Sequence, residues 1–182
     1  MKQLLTFLLT ISLTTVFSQE LKHKEFYDNG NVKVEYSGKK GTPDGLVKMY
    51  YETGELQGDL LFKKGKQQGL SRIYYPSGNI QKEMTFKNGT QVDTMKIYFE
   101  NGTLQELSYI KNGAKNGVYQ LYYENGQIQI DGQTKDNNLN GFCIHYNEEG
   151  RKTKEGEYRM GKPIGIWKEY NKIGVTQKNY GE

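Results

Sequence analysis

Little in this sequence is suited to covalent chemistry. One cysteine and two histidines occur in 182 residues. That excludes a disulfide scaffold and a cysteine-built zinc cage, and it leaves few groups for a histidine-based catalytic or metal centre. Proline is scarce at three residues, and tryptophan occurs once. After residue 18 no apolar run is long enough to span a bilayer, and the mean hydropathy is −0.84. What the chain does have is 22 glycines and 15 tyrosines. Strands and tight turns use these residues well, whereas helices do not. An aromatic content of 13% is also too high for a disordered tail.

Residues 1–18, MKQLLTFLLTISLTTVFS, form a unit of their own. Lys2 gives a short positive start, and Leu4 to Phe17 is apolar apart from Thr and Ser. Val16 and Ser18 are small enough to flank a cleavage point before Gln19. This is the pattern of a cleavable signal peptide, and it is short for a membrane anchor. The mature chain, 19–182, is therefore expected outside the cytoplasm: periplasmic, cell-surface or secreted.

A 24-residue period runs through the mature chain. Gly30, Gly54, Gly78, Gly102, Gly126, Gly150 and Gly174 recur at that interval. So do Phe26, Tyr50, Tyr74, Tyr98, Tyr122, Tyr146 and Tyr170. Two further glycine columns run through Gly41 and Gly45, with Asn137 and Asp93 filling their gaps. Asn and Asp are the non-glycine residues most tolerant of positive φ, so these columns read as backbone positions, with Gly54, Gly78, Gly102, Gly126 and Gly150 as structural turn residues. Within one unit, Leu46–Tyr51 and Leu56–Lys63 read as strands, Glu52–Glu55 as one turn and Lys64–Gly69 as a second. No stretch sustains a 3.6-residue period. The prediction is an all-β fold, an elongated antiparallel meander of 24-residue hairpins. It comprises about six units and a partial C-terminal cap, where Cys143, His145 and Asn147 break the apolar pattern.

The phrases Tyr122-Tyr123-Glu124-Asn125-Gly126-Gln127-Ile128 and Lys111-Asn112-Gly113-Ala114-Lys115-Asn116-Gly117 carry the repeat most clearly. The pattern resembles the MORN repeat, in the variant form found in bacterial exported proteins, over about residues 24–180. The resemblance implies a single-sheet fold. It also implies either a scaffold role or the antitoxin half of a toxin–antitoxin pair, the label bacterial members often carry.

Strand alternation assigns faces. Val47, Met49 and Tyr51 share one face with Leu56, Leu60 and Phe62, which is predicted to be apolar. Lys48 and its equivalents lie opposite, with Leu46-type residues and a row of tyrosines. A single sheet cannot bury an apolar face alone. It must curl into a trough, pack on a second copy as a homo-oligomer, or bind a partner. The candidate binding residues are the tyrosine row, Tyr50, Tyr74, Tyr98, Tyr122 and Tyr146, and the basic turn residues Lys63, Lys87 and Lys111. With Lys39, Lys135 and Arg159 these lysines predict a basic rim, and Asp28, Glu52, Glu100, Glu124 and Glu148 predict an acidic rim on the opposite edge.

Cys143 and His145, two apart on a strand, are the only pair that suggests a nucleophile or half a metal site, and no third group stands in a matching column. Asn88-Gly89-Thr90 and Asn101-Gly102-Thr103 fit a glycosylation acceptor but are equally turn sequences. The glycines are spaced for turns, with no phosphate loop. No enzyme activity, cofactor, metal, nucleic-acid partner or transmembrane segment is expected. The reading is an exported non-enzymatic interaction module for a protein partner or an anionic cell-envelope component. The alternative is an antitoxin or immunity protein that neutralises a toxic partner.

Overall fold

The computed structural model describes residues 22–181. The signal-peptide segment and its cleavage point lie outside the described residues. Fifteen strands form one sheet: β1 (Lys22–Phe26), β2 (Val32–Lys39), β3 (Thr42–Tyr50), β4 (Leu56–Lys63), β5 (Lys66–Tyr74), β6 (Ile80–Lys87), β7 (Thr90–Tyr98), β8 (Leu104–Lys111), β9 (Ala114–Tyr122), β10 (Ile128–Lys135), β11 (Asn138–Leu139), β12 (Gly141–Tyr146), β13 (Lys152–Arg159), β14 (Lys162–Asn171) and β15 (Gly174–Asn179). From β1 to β10 and from β12 to β15 each strand pairs antiparallel with the next; β10 pairs with β12, and the short β11 pairs with β10 alone. No helix occurs among the described residues. At ~4.8 Å per strand the meander is ~60 Å long.

Two kinds of turn alternate along the sheet. After each first strand, Tyr51-Glu52-Thr53-Gly54 and its equivalents form a four-residue turn in which Gly54 N–H donates to the Tyr51 carbonyl and Tyr51 N–H donates to the Glu55 carbonyl. The glycine sits at φ 105° in Gly54 and 86° in Gly126, a region closed to most side chains. After each second strand the sequence predicts a longer turn, Lys64 to Gly69 in the unit that follows β4. The structure corrects this. The turn has two residues, Lys64 at φ 50° and Gly65 at φ 76°, and β5 already begins at Lys66. Both central residues have positive φ, as a type I′ hairpin requires, and its twist matches that of the flanking strands. Gly69, at φ 83°, lies inside β5, where the β4–β5 register shifts between Leu60 and Phe62. The third glycine column is thus a row of strand bulges.

The core lies on the predicted face. Val47, Leu60, Met95, Ile110, Cys143 and Trp167 are buried there. Register confirms the shared face: Val47 opposes Leu60 and Met49 opposes Gly58. The face is less apolar than alternation over Leu56, Leu60 and Phe62 suggests, because the intervening column places Lys82, Glu106 and Lys154 on it. Glu106 is buried, accepts a hydrogen bond from Ser108 Oγ and pairs with Lys115 Nζ at 2.6 Å. At the C-terminal end aromatic rings close this face. Trp167 is 2% exposed and packs edge-on against Tyr158 and Tyr180, with ring centroids 4.9 and 6.1 Å away.

Candidate functional site

The opposite, open face is built from stripes that run across the strands. Its centre is a charge ladder. Lys24, Glu35, Lys48, Asp59, Arg72, Glu83 and Lys96 stand in successive cross-strand pairs. The alternation lapses at Leu107 and Gln120 and again at Ile144, and resumes with Glu155 opposite Lys168. Arg72 Nε lies 3.0 Å from Glu83 and Lys24 Nζ 3.4 Å from Glu35. Opposite charges on facing strands stabilise the pairing and fix its register.

The tyrosine row borders this ladder and is tied into it. Tyr50 donates to Glu35 at 2.7 Å, Tyr98 to Glu83 at 2.9 Å and Tyr170 to Glu155 at 2.6 Å, each reaching back 15 residues. Tyr122, which faces the gap at Leu107, donates to Gln120 instead. Burial and the bonded Glu35 push the Tyr50 phenol up to about 12, and burial with Glu83 does the same to Tyr98. These tyrosines are half-buried and their hydroxyl protons are committed, so Tyr50, Tyr98 and Tyr122 offer a partner ring surface and lone pairs. Where a second tyrosine follows the first, or follows Phe26, it is a latch between repeats: Tyr27, Tyr51, Tyr75 and Tyr123 donate to the backbone carbonyls of Tyr50, Tyr74, Tyr98 and Tyr146.

On the other side of the ladder runs a largely apolar stripe, interrupted by Thr85, Thr94, Gln133 and Glu157. Leu46, Leu61, Leu70, Tyr109, Val118, Phe142 and Ile166 are between 40% and 59% exposed. Leu46 opposes Leu61, and Thr94 opposes Tyr109. The sequence shows the Leu46 column on this face. The Leu61 column is harder to see, because it lies between the buried Leu60 and Phe62, and only pairing register joins the two columns into one stripe.

Beyond the stripe lie the two-residue turns. Lys63, Lys87 and Lys111 are exposed at this edge and form no ion pair among the described residues. Lys63, Lys64 and Lys66 surround one shallow notch with Gln68 and Asn88, where Asn88 N–H donates to Gln68. The acidic column Asp28, Glu52, Glu100, Glu124 and Glu148 lies in the four-residue turns at the opposite edge. These turns interlock, since Asn29 and Asn125 donate to the carbonyls of Glu52 and Glu148 in the next turn. The open face therefore reads, from edge to edge, basic turns, apolar stripe, charge ladder, tyrosines and acidic turns.

Cys143 and His145 stay apart from this surface, on the buried face. Cys143 Sγ lies 3.7 Å from His145 Nε2. Burial, with Asp131, raises the thiol to about 11, and burial, with Lys154, lowers the imidazole to about 4. At neutral pH the pair is thus an uncharged thiol and an uncharged ring, the reverse of what a thiolate nucleophile needs. No group of three or more candidate metal ligands occurs among the described residues, and no helix there is long and apolar enough to cross a membrane.

A comparison with curated proteins finds no match. A family model described as the MORN repeat variant matches five stretches, residues 19–40, 43–64, 67–88, 94–112 and 115–136. Where described, each match takes in one first strand and one second strand, and the matches stop before the C-terminal units in which Cys143, His145 and Trp167 replace the repeat pattern. Together they cover more than half of the sequence, and the family's repeats act as binding modules. The chain therefore belongs to the MORN repeat variant family.

Proposed function

We propose that the protein is an exported, non-enzymatic interaction module whose open face binds a protein partner or an anionic cell-envelope component. The observation that carries this reading is the apolar stripe from Leu46 to Ile166, left half-exposed beside unpaired lysines. Exposed apolar side chains gathered along one stripe mark a contact site. The lysines beside it add a field that speeds the approach of an acidic partner more than it deepens affinity. Export rests on residues 1–18, which read as a signal peptide. Cleavage after Ser18 would leave the repeat domain, 19–182, in the periplasm, at the cell surface or secreted.

The test is a charge reversal of the basic turns. Lys63→Glu, Lys87→Glu and Lys111→Glu together should weaken association with an isolated envelope fraction and abolish its salt dependence, with the far-UV circular dichroism unchanged. Unchanged association in that variant and in raised salt would reduce the basic edge to a solvated rim that protects the sheet.

A further inference from the structure

The sheet ends on two unlike strands. β1 aligns by the 24-residue period with the first strands of the repeat, such as β3 and β5, and β15 aligns with the second strands, such as β4 and β13. Each is paired on one side only among the described residues. All of β15 is exposed, and so is β1 except for His23. In every internal junction a second strand is followed by a first strand. We propose that β15 of one molecule pairs antiparallel with β1 of a second copy, so that the chain assembles head to tail and the repeat continues across the junction.

Register makes this specific. Internal junctions oppose Glu35 to Lys48 and Tyr36 to Val47 between β2 and β3, and Lys154 to Glu169 between β13 and β14. Displacing the second copy by seven periods of 24 residues keeps the same pairing phase. It then sets Lys178 against Glu25, Asn179 against Lys24 and Tyr180 against His23. The first of these repeats the Lys154–Glu169 pair with the same residue types. The third joins two aromatic rows: Tyr180 already packs on Trp167 at 6.1 Å, and His23 stacks on Tyr36 at 5.2 Å. Apolar side chains also stand exposed at both ends, Phe26 at 58% and Val175 at 57%. A contact between two different edges cannot form a two-fold dimer, so it propagates from copy to copy until a ring closes or an open array is left with one unpaired β1 and one unpaired β15.

Sedimentation velocity of the chain expressed from its full sequence tests this. The average mass of the wild type should rise with concentration. Glu25→Lys and Lys178→Glu should each weaken self-association by about tenfold, because each sets like charges opposite one another. The double variant should recover the wild-type behaviour. So should a 1:1 mixture of the two single variants, in which the lysine introduced into β1 of one meets the glutamate introduced into β15 of the other. A wild type that stays monomeric at high concentration would overturn the proposal. So would single variants that assemble as well as the wild type, or a mixture that fails to recover.

Discussion

Two glycines show how different the demands on one residue type are. Gly126 has φ 86°, and a Cβ there would meet only Thr103 Cγ2, at 3.7 Å. Its constraint is conformational. Gly126→Val should cost ~1–2 kcal/mol or more, because a β-branched residue is strained in that region. An unchanged melting temperature would contradict the turn. Gly156 has no positive φ, but a Cβ there would land within the Trp167 indole. Its constraint is steric, and the chain's single tryptophan reports on it. Gly156→Ala should push the ring out of its buried site and shift its fluorescence to longer wavelength. Unshifted emission would mean that the indole does not lie over Gly156.

At the scale of the strand pair, the polar face is held by cross-strand chemistry. The defect at Leu107 offers a direct test. Leu107→Glu would stand between Lys96 and Gln120 and give Tyr122 the carboxylate acceptor that Tyr50 and Tyr98 have in Glu35 and Glu83. It should stabilise the fold by ~0.2–1 kcal/mol, and a lower melting temperature would contradict the ladder. The same carboxylates set an acid limit. The Tyr50 hydrogen bond lowers Glu35, and hydrogen bonds from Lys152 and Tyr170 lower Glu155. For Glu83, burial works upward, but the Arg72 and Tyr98 hydrogen bonds overcome it and the group is lowered too. A carboxylate lowered in the folded state contributes stability above its unfolded pKa of about 4.3. That contribution is lost as the pH falls through the folded value. Thermal melts should therefore show stability declining below about pH 4, and a flat profile down to about pH 2 would mean that these bonds do not hold the sheet.

Much of this level was legible in the sequence, and the misses have physical causes. The period located the Gly54-type turns and the start of the second turn at Lys64, but not its two-residue length, and alternation put Val47, Met49 and Leu60 on the buried face. Alternation alone did not show that Gly69 belongs to a strand, because a glycine at positive φ reads the same in a bulge as in a loop. Nor did it show the charge ladder. Asp59 and Arg72 are neighbours only through register, and that register depends on the length of the Lys64-Gly65 turn. The tyrosine row was visible as a column, but its bonds to carboxylates 15 residues earlier were not, so its role as part of the ladder emerged only from the structure.

For the whole molecule, one open sheet with stacked stripes has a consequence for recognition. Under the proposed function each repeat contributes one basic residue, one or two exposed apolar side chains and one tyrosine, so affinity should grow with the number of repeats engaged. The surface suits an elongated partner lying across the strands. Successive Lys63-type residues are two strands apart, about 10 Å, close to the Debye length of ~8 Å at physiological salt, so they act as a diffuse basic stripe.

Lysine-reactivity footprinting by mass spectrometry, on the chain alone and bound to an isolated envelope fraction, tests whether the open face and its basic edge form the binding surface. Lys63, Lys87 and Lys111 should lose acylation on binding, while Lys172, in a turn of the opposite edge, keeps its reactivity. Equal protection of Lys172, or full reactivity of the three turn lysines in the bound state, would contradict the open face and its basic edge as the binding surface.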